Sequence, residues 1–296
     1  MISKVAAFVR DPSDRDAVRG AFAELGAIGL GWRPQATSGT ELALERLIGT
    51  QDRFSMKKPG RRASVHVLEE LFFELVSRFD TGLFLEAGAK AAEASLRASQ
   101  LLPNAAVVAF EANPYTYKRF DIKRDYAAAG VSYRHQALSS EPGDLSFNVR
   151  KTEDGQASAD GQGSLLKHTS YEPGHIEVTV SATTLDATLD EFDADSCALW
   201  IDVEGATRQV LEGASRTLEK TSVVFVEVED VEVWGSQWLS EDVVRALYEA
   251  GLHPIARDFQ SPYQWNVICV RRSLLFSHHL AIALANHHKR VNRLAS

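Results

Sequence analysis

Two acidic residues, separated by a single position, follow an apolar run in the second half of the chain. The run Cys197 to Val203 carries Asp202 near its end, and Glu204 and Gly205 come directly after it at the turn into a predicted helix. Like charges at close range raise each other's pKa unless a cation, a hydrogen bond or water compensates. We therefore interpret Asp202 first, and Glu204 second, as candidate catalytic residues. In the structural alternative, Glu204 caps the helix and Asp202 holds loop amides.

A strand, a glycine turn and a helix are predicted earlier in the chain. The apolar run from Leu83 stops at Glu86, turns on Gly88 and enters an alanine-rich segment; a second apolar run ends at Glu111, before Asn113. Doubly wound domains hold nucleosides in this way, with backbone amides at the turn and a carboxylate on the ribose hydroxyls. The pattern indicates a nucleoside site, although an ordinary strand-to-helix connection has the same local signature.

The acidic rim also allows a metal hypothesis. A strand predicted over 221–228 ends near Glu227 and Glu229. Carboxylate oxygens of Asp202, Glu204 and Glu227 could ligate a divalent cation, which would lower the pKa of an alcohol. The metal is the less favoured of the two ways to activate a hydroxyl.

Histidines are alternative proton acceptors. His135 lies on a predicted strand, where a hydrogen-bonded packing role is the usual one, while His168 and His175 flank a polar, glycine-rich segment. Of the three, we expect His168 to be the better candidate base.

Strand and helix signals alternate regularly and predict an α/β fold with a doubly wound, seven-stranded, Rossmann-like sheet whose last strand is antiparallel. A helix is predicted over 115–129, ended by Gly130. The predicted strands are 83–86, 107–111, 131–138, 197–203, 221–228, 253–258 and 265–270.

Length and pattern predict one main domain over 82–272, containing a hairpin-like insertion at 142–183 with a mobile tip. A helical extension covers 1–81 and a C-terminal helix covers 273–296. Within the extension, helices are predicted over 14–25, from Thr40 through Ile48, and from Ser64 as N-cap, with a basic exposed loop at 51–63.

The composition of the chain limits the classes of partner that we expect. A formal net charge of -8 argues against nucleic acid as a partner, and no apolar run approaches the ~20 residues that span a bilayer. We expect a cytoplasmic protein that acts on a small molecule or glycan, with a homo-oligomer left open. Cys197 and Cys269 lie in apolar runs and are expected to be buried free thiols.

Six linked segments carry a resemblance to a known family. They are EAGAK, VVAFEANP, QALSS, TTLDATL, LWIDVEGATRQVLEGA and VVFVEVE, in this order. Over roughly residues 82 to 272 the chain resembles the FkbM family of S-adenosylmethionine-dependent methyltransferases. The resemblance implies a Rossmann-like methyltransferase fold and, most often, methylation of a hydroxyl oxygen on a sugar, glycan or polyketide-type product.

The same resemblance implies a cofactor site. The loop with Glu86, Gly88 and Ala89 would surround the methionine part, and Asp202 would close the methionine end near the reactive methyl group. Glu111 would take the ribose hydroxyls, with Asn113 bordering them, and Ala137 and Leu138 would lie beside the adenine. The implied cofactor-binding residues are Glu86, Gly88, Ala89, Lys90, Glu111, Ala112, Asn113, Ala137, Leu138 and Asp202.

The chain departs from the family pattern at four positions. Ala92 replaces a glycine, Lys90 an asparagine, Trp200 a lysine and Thr207 an acid. A methyl group at Ala92 is tolerable if that residue is helical. Lys90 could pair with the cofactor carboxylate or with Glu86, and Trp200 could form an apolar or carbohydrate-stacking wall.

Two other functions remain open at this point. A degraded glycine loop at Ala92 is compatible with a non-catalytic binding or scaffold module on the same fold. Less favoured is a metal-dependent hydrolase that uses the acidic rim.

Overall fold

A computed structural model describes residues 58–170 and 174–295. The helices predicted over 14–25 and from Thr40 lie outside these residues, as does most of the predicted basic loop. The strands are β1 Leu83–Ala87, β2 Ala106–Phe110, β3 Ser132–Arg134, β4 Ala137–Leu138, β5 Gly143–Arg150, β6 Gly163–Ser164, β7 His175–Thr183, β8 Cys197–Ile201, β9 Thr221–Glu229, β10 Leu252–Arg257 and β11 Gln264–Arg271. The helices are α1 Lys58–Arg78, α2 Glu93–Leu101, α3 Pro114–Asp121, α4 Leu185–Leu189, α5 Thr207–Glu212, α6 Ser215–Lys220, α7 Ser240–Glu249 and α8 His278–Ala295.

The main sheet has seven strands in the order β10-β11-β9-β8-β1-β2-β3. The last strand of the chain, β11, runs antiparallel between β9 and β10, and the other pairs in the sheet are parallel. This confirms the predicted seven-stranded, doubly wound sheet with its antiparallel last strand.

Register brings three strand ends to one edge. Ala87 at the end of β1 pairs with Phe110 of β2 and with Ile201 of β8. Because parallel strands end at the same edge, the acids at or just beyond these ends lie side by side.

Both faces of the sheet are covered, and β1 shows how. Leu83, Leu85 and Ala87 pack on one side with α4 to α7, while Phe84 packs on the other with α1, α2 and α8. Alternation of apolar side chains along a fully buried strand therefore builds two core layers.

The predicted insertion is a second, four-stranded sheet in the order β4-β7-β5-β6. Its main pair, β5 with β7, is an antiparallel hairpin, as the alternating sequence predicts. The single strand predicted over 131–138 is wrong, because the chain divides it: β3 pairs with β2, whereas β4 pairs with β7 of the second sheet.

Two helix boundaries also differ from the prediction. The helix predicted over 115–129 ends at Asp121, and Tyr126 turns inward to a buried position where its hydroxyl donates to Ala91 O at 3.0 Å. Helix α1 already includes Lys58, the first described residue, so Ser64 lies inside the helix and the part of the predicted loop from residue 58 onwards is helical. The Ser64 hydroxyl donates to Arg61 O and accepts from Phe259 N, so it ties the helix to the end of β10 instead of capping it.

Cys197 and Cys269 are free and buried, as predicted. Burial raises the pKa of Cys197 to about 11, so its thiol stays protonated. In residues 58–170 and 174–295, no helix combines the length and apolar character that crossing a membrane requires.

Candidate active site

A cluster of carboxyl groups lies along the carboxyl edge of the main sheet. It joins the ends of β1, β2, β8 and β9, which are separate in sequence. The members of this carboxylate cluster are Glu86, Glu111, Asp202, Glu204, Glu227 and Glu229.

Glu86 is anchored to a helix. Its Oε2 accepts a hydrogen bond from Ser95 N at 2.8 Å, in the first turn of α2. Burial raises the pKa of Glu86 to about 7, while hydrogen bonds from Ser95 oppose this rise by stabilising the carboxylate. Glu86 therefore holds the start of α2 next to β1.

Glu111 joins two loops. Its Oε1 accepts from Asn113 N at 2.7 Å and its Oε2 from Lys90 N at 2.8 Å. Burial raises its pKa to about 7. Since each carboxylate oxygen has two lone pairs, both oxygens keep one acceptor position, as a ribose diol would need.

Gly88 brings β1 against the end of β8. It has a φ of +77°, and a Cβ there would lie 1.7 Å from the carbonyl oxygen of Asp202. The Gly88 and Ala89 amides donate to Phe110 O, at 3.0 and 2.8 Å. The prediction that free amides at this turn receive the ligand is therefore not supported, since these two are used within the sheet.

Ala92 keeps a glycine-like backbone. Its φ is 51° and its ψ 39°, in the left-handed region, and its methyl group is fully buried. Ala92 is therefore not helical, and the condition under which a methyl group would be tolerated without strain is not met. The loop conformation survives the substitution, at a cost of about 1–2 kcal/mol.

Asp202 and Glu227 form a hydrogen-bonded carboxyl pair. Burial raises the pKa of both, and the pKa of Glu227 rises well above its usual range because the Asp202 charge adds to burial. Gln264 Nε2 also donates to Glu227 Oε1 at 2.8 Å. Glu227 therefore keeps its proton and donates it to Asp202; this hydrogen bond lowers the pKa of Asp202, but the larger effect of burial leaves that pKa raised.

Glu204 lies at the turn after β8 with a φ of 48°. Burial, and then the neighbouring Asp202, raise its pKa to about 8. Its carbonyl oxygen accepts a hydrogen bond from the hydroxyl of Ser164 at 2.6 Å. A left-handed backbone at a residue other than glycine is often found at functional sites.

The metal hypothesis has no support in the geometry. Among the residues that the structure describes, no three Asp, Glu, His or Cys side chains are placed to hold a metal ion. Asp202, Glu204 and Glu227 are close enough to influence one another electrostatically, but they do not form such a group.

Residues 158–169 of the insertion, here called the strap, cross this edge of the sheet. Asn113 Nδ2 donates to Ser158 O at 3.2 Å, and Arg119 Nη1 donates to Ala159 O at 3.0 Å. At its other end, Gly235 N donates to Lys167 O at 2.8 Å. The strap thus fastens the insertion along the carboxylate cluster, which the composition of the insertion did not show.

The residues expected beside the adenine are apolar and buried. Ala137 belongs to the core of the second sheet, with Ala112 packed against it, while Leu138 belongs to the core of the main sheet. Asn113 caps α3 through its Oδ1, which accepts from Tyr115 N and Thr116 N. These residues form the junction of the two sheets.

The histidines are not placed as bases. Nδ1 of His168 accepts from Ser170 N at 3.2 Å, so the lone pair of that nitrogen is used, and burial lowers the pKa of His168 and of His175. The ring of His135 stacks on Tyr117 at 5.0 Å and contacts Ala112 O.

Trp200 is partly buried and packs against the apolar core. Its ring stacks on Phe225 at 3.9 Å between centroids, and Phe72 and Phe73 of α1 pack against it. A carbohydrate-stacking wall at Trp200 is therefore a wrong prediction. The aromatic residue at the turn after β8 is Trp234. Its ring packs directly on Gly205, because a Cβ on that glycine would lie 2.5 Å from Cδ1 of Trp234.

The sheet order with its inserted antiparallel strand defines an α/β protein of the Rossmann-like methyltransferase type. A sequence profile described as the Methyltransferase FkbM domain matches residues 86–253, more than half of the chain. The protein belongs to the FkbM methyltransferase family. A search of curated proteins gives no match.

Solved structures with a similar fold include three methyltransferases. Methyltransferase FkbM from Methylobacillus flagellatus KT is 11% identical with a TM-score of 0.39, and the match covers 86% of this chain and 60% of that one. Precorrin-6y C5,15-methyltransferase from Geobacter metallireducens GS-15 is 13% identical with a TM-score of 0.36, covering 67% and 87%. Human N-acetylserotonin methyltransferase in complex with SAM is 11% identical with a TM-score of 0.38, covering 86% and 64%. Similarity at this level carries no argument about substrate.

Proposed function

We propose that the protein transfers a methyl group from S-adenosylmethionine to a hydroxyl oxygen of a sugar, glycan or polyketide-type product. The observation that carries this proposal is the Asp202–Glu227 carboxyl pair at the carboxyl edge of the sheet. An alcohol needs a proton acceptor during methyl transfer, and a carboxylate of ordinary pKa near ~4 is a weak one.

The residues present fit this cofactor. Glu111 has an unused acceptor position on each oxygen for two hydroxyls, and Ala112 and Leu138 supply apolar surface. The raised pKa values of the cluster also fit a cationic ligand, because a sulfonium and an ammonium group would favour the ionised form of these carboxyl groups. When bound, the cofactor supplies an electrophilic methyl group.

In this proposal the protein's own residues orient the acceptor, exclude water and move one proton. Asp202 accepts the proton of the acceptor hydroxyl at its carboxylate, whose pKa burial raises, while Glu227 keeps its own proton and orients the Asp202 carboxylate through their hydrogen bond. Glu204 is the second candidate for the same role. The strap covers the edge and keeps bulk water away from it.

Methyl transfer can be followed without knowing the acceptor. The protein is incubated with methyl-labelled S-adenosylmethionine and with small-molecule and glycan fractions, and we expect label in a base-stable methyl ether. Asp202→Asn should reduce transfer by at least about a hundredfold while cofactor binding persists. Label in a base-labile ester or in a methylamine would contradict hydroxyl methylation. Cofactor binding without transfer to any fraction would favour the scaffold alternative.

A further inference from the structure

Lys90 is an exposed residue whose backbone is held between the carboxylate cluster and strand β3 by hydrogen bonds. Its backbone N–H donates to Glu111 Oε2 at 2.8 Å, and its carbonyl oxygen accepts from the hydroxyl of Tyr133. Its φ is 49°. Both backbone groups are engaged, so the direction in which the side chain leaves the loop is set.

The side chain of Lys90 runs under the strap. A Cβ on Gly161 would lie 2.9 Å from Cδ and 3.1 Å from Cγ of Lys90, and Gly161 has a φ of +90°. A glycine at this position is what allows the strap to lie directly on the aliphatic stem of the lysine.

The ammonium group acts on the methyl-transfer side of the cluster. Its positive charge lowers the pKa of Glu111, Asp202 and Glu204, against the larger effect of burial. Glu86, in contrast, is held by Ser95 N. The charge of Lys90 therefore acts on Glu111, Asp202 and Glu204, and Lys90 is not among the main groups that shift the pKa of Glu86.

We propose that Lys90 is a specificity-determining residue that supplies the site's own positive charge and sets its relative affinity for S-adenosylmethionine and S-adenosylhomocysteine. This inference rests on the proposed cofactor. The two ligands differ by a methyl group and by the sulfonium charge, which a neighbouring ammonium group opposes. The same opposition weakens as the sulfonium loses its charge during transfer, so Lys90 would favour the transition state over the bound donor.

The test compares the dissociation constants of the two ligands in Lys90→Met, measured by calorimetry at low salt, where screening is weak. Removal of the charge should shift the affinity ratio towards S-adenosylmethionine by about three- to tenfold. Lys90→Arg keeps the charge and should keep the wild-type ratio. Arg119→Met is the matched control, because Arg119 also contacts the strap, at Ala159 O, but from the exposed side of α3.

Two outcomes overturn the inference. One is an unchanged affinity ratio, which, if both ligands weaken equally, would mean that Lys90 binds the carboxylate they share; the other is a shift towards S-adenosylhomocysteine. Thermal melts check folding, and Lys90→Gln replaces Lys90→Met if the latter does not fold. A folded wild-type protein that binds neither ligand would contradict the proposed function itself, a result distinct from these two.

Discussion

At the scale of single residues, the site depends on backbone conformations that side chains normally avoid. Lys90, Ala92 and Glu204 all have a φ near 50°, in the loops after β1 and β8. The sequence placed these loops correctly at the edge of the sheet, on the basis of Gly88, Glu111 and Asp202. It did not reveal the left-handed backbone, because alanine, lysine and glutamate carry no local signal for it.

Gly88 offers the clearest residue-level prediction. In Gly88→Ala, a Cβ meets the Asp202 carbonyl at 1.7 Å in addition to the positive φ, so the free energy of unfolding should fall by about 3 kcal/mol or more. Gly155→Ala is the control, since Gly155 has a φ of +80° but no atom within 4 Å of its Cβ position. That variant should lose only about 1–2 kcal/mol. Urea unfolding measures both, and equal losses would refute the account of a close approach between β1 and β8.

At the scale of helices and strands, the apolar pattern of the sequence predicts the buried strands. It does not predict boundaries that depend on contacts between distant segments of the chain. The buried strands β1, β8 and β9 were found because each is a continuous apolar run. The division between β3 and β4 was not found from the sequence, because the segment 131–138 alternates as a single strand would. Only pairing partners 45 residues apart, such as Ala137 with Ala182, separate the two.

The junction between α3 and the strap gives the element-level prediction. Asn113 caps α3 and also donates to Ser158 O, so Asn113→Ala should destabilise the protein by about 1–2 kcal/mol and raise hydrogen exchange in the strap. Thr184→Ala removes the corresponding cap of α4, where Oγ1 accepts from Ala187 N, without a contact to the strap. Hydrogen exchange over residues 158–169, measured by mass spectrometry, distinguishes the two variants. The proposed attachment is wrong if both variants, or neither, expose the strap.

At the scale of the whole molecule, the carboxylate cluster couples folding to pH. Burial raises the pKa of Glu86, Glu111 and Glu229 to about 7 and that of Glu204 to about 8, from an ordinary value of 4.5. The folded state therefore binds more protons than the unfolded state between these values, and stability is lost as pH rises through the folded pKa.

Unfolding in urea should show this directly. Between pH 5 and pH 8 we expect the free energy of unfolding to fall by at least about 3 kcal/mol, which one such group alone would contribute. Exposed carboxylates with a lowered pKa, such as Glu191 beside Arg134, lose their contribution only at lower pH. Buried His287, whose pKa is lowered to about 4, opposes the trend by about 2 kcal/mol over this interval, which the four carboxyl groups together outweigh. A free energy of unfolding that rises over this interval would contradict the electrostatics of the cluster.

The central claim is that this edge of the sheet binds S-adenosylmethionine. Calorimetric titration near pH 7 tests it most directly, in two buffers of different ionisation enthalpy, because the sulfonium should displace protons from the cluster. We predict binding with a micromolar dissociation constant and net proton release, and binding at least about tenfold weaker in Glu111→Gln, which loses a charged acceptor for the ribose hydroxyls. A folded wild-type protein that gives no binding heat and no cofactor-dependent rise in melting temperature would contradict the claim.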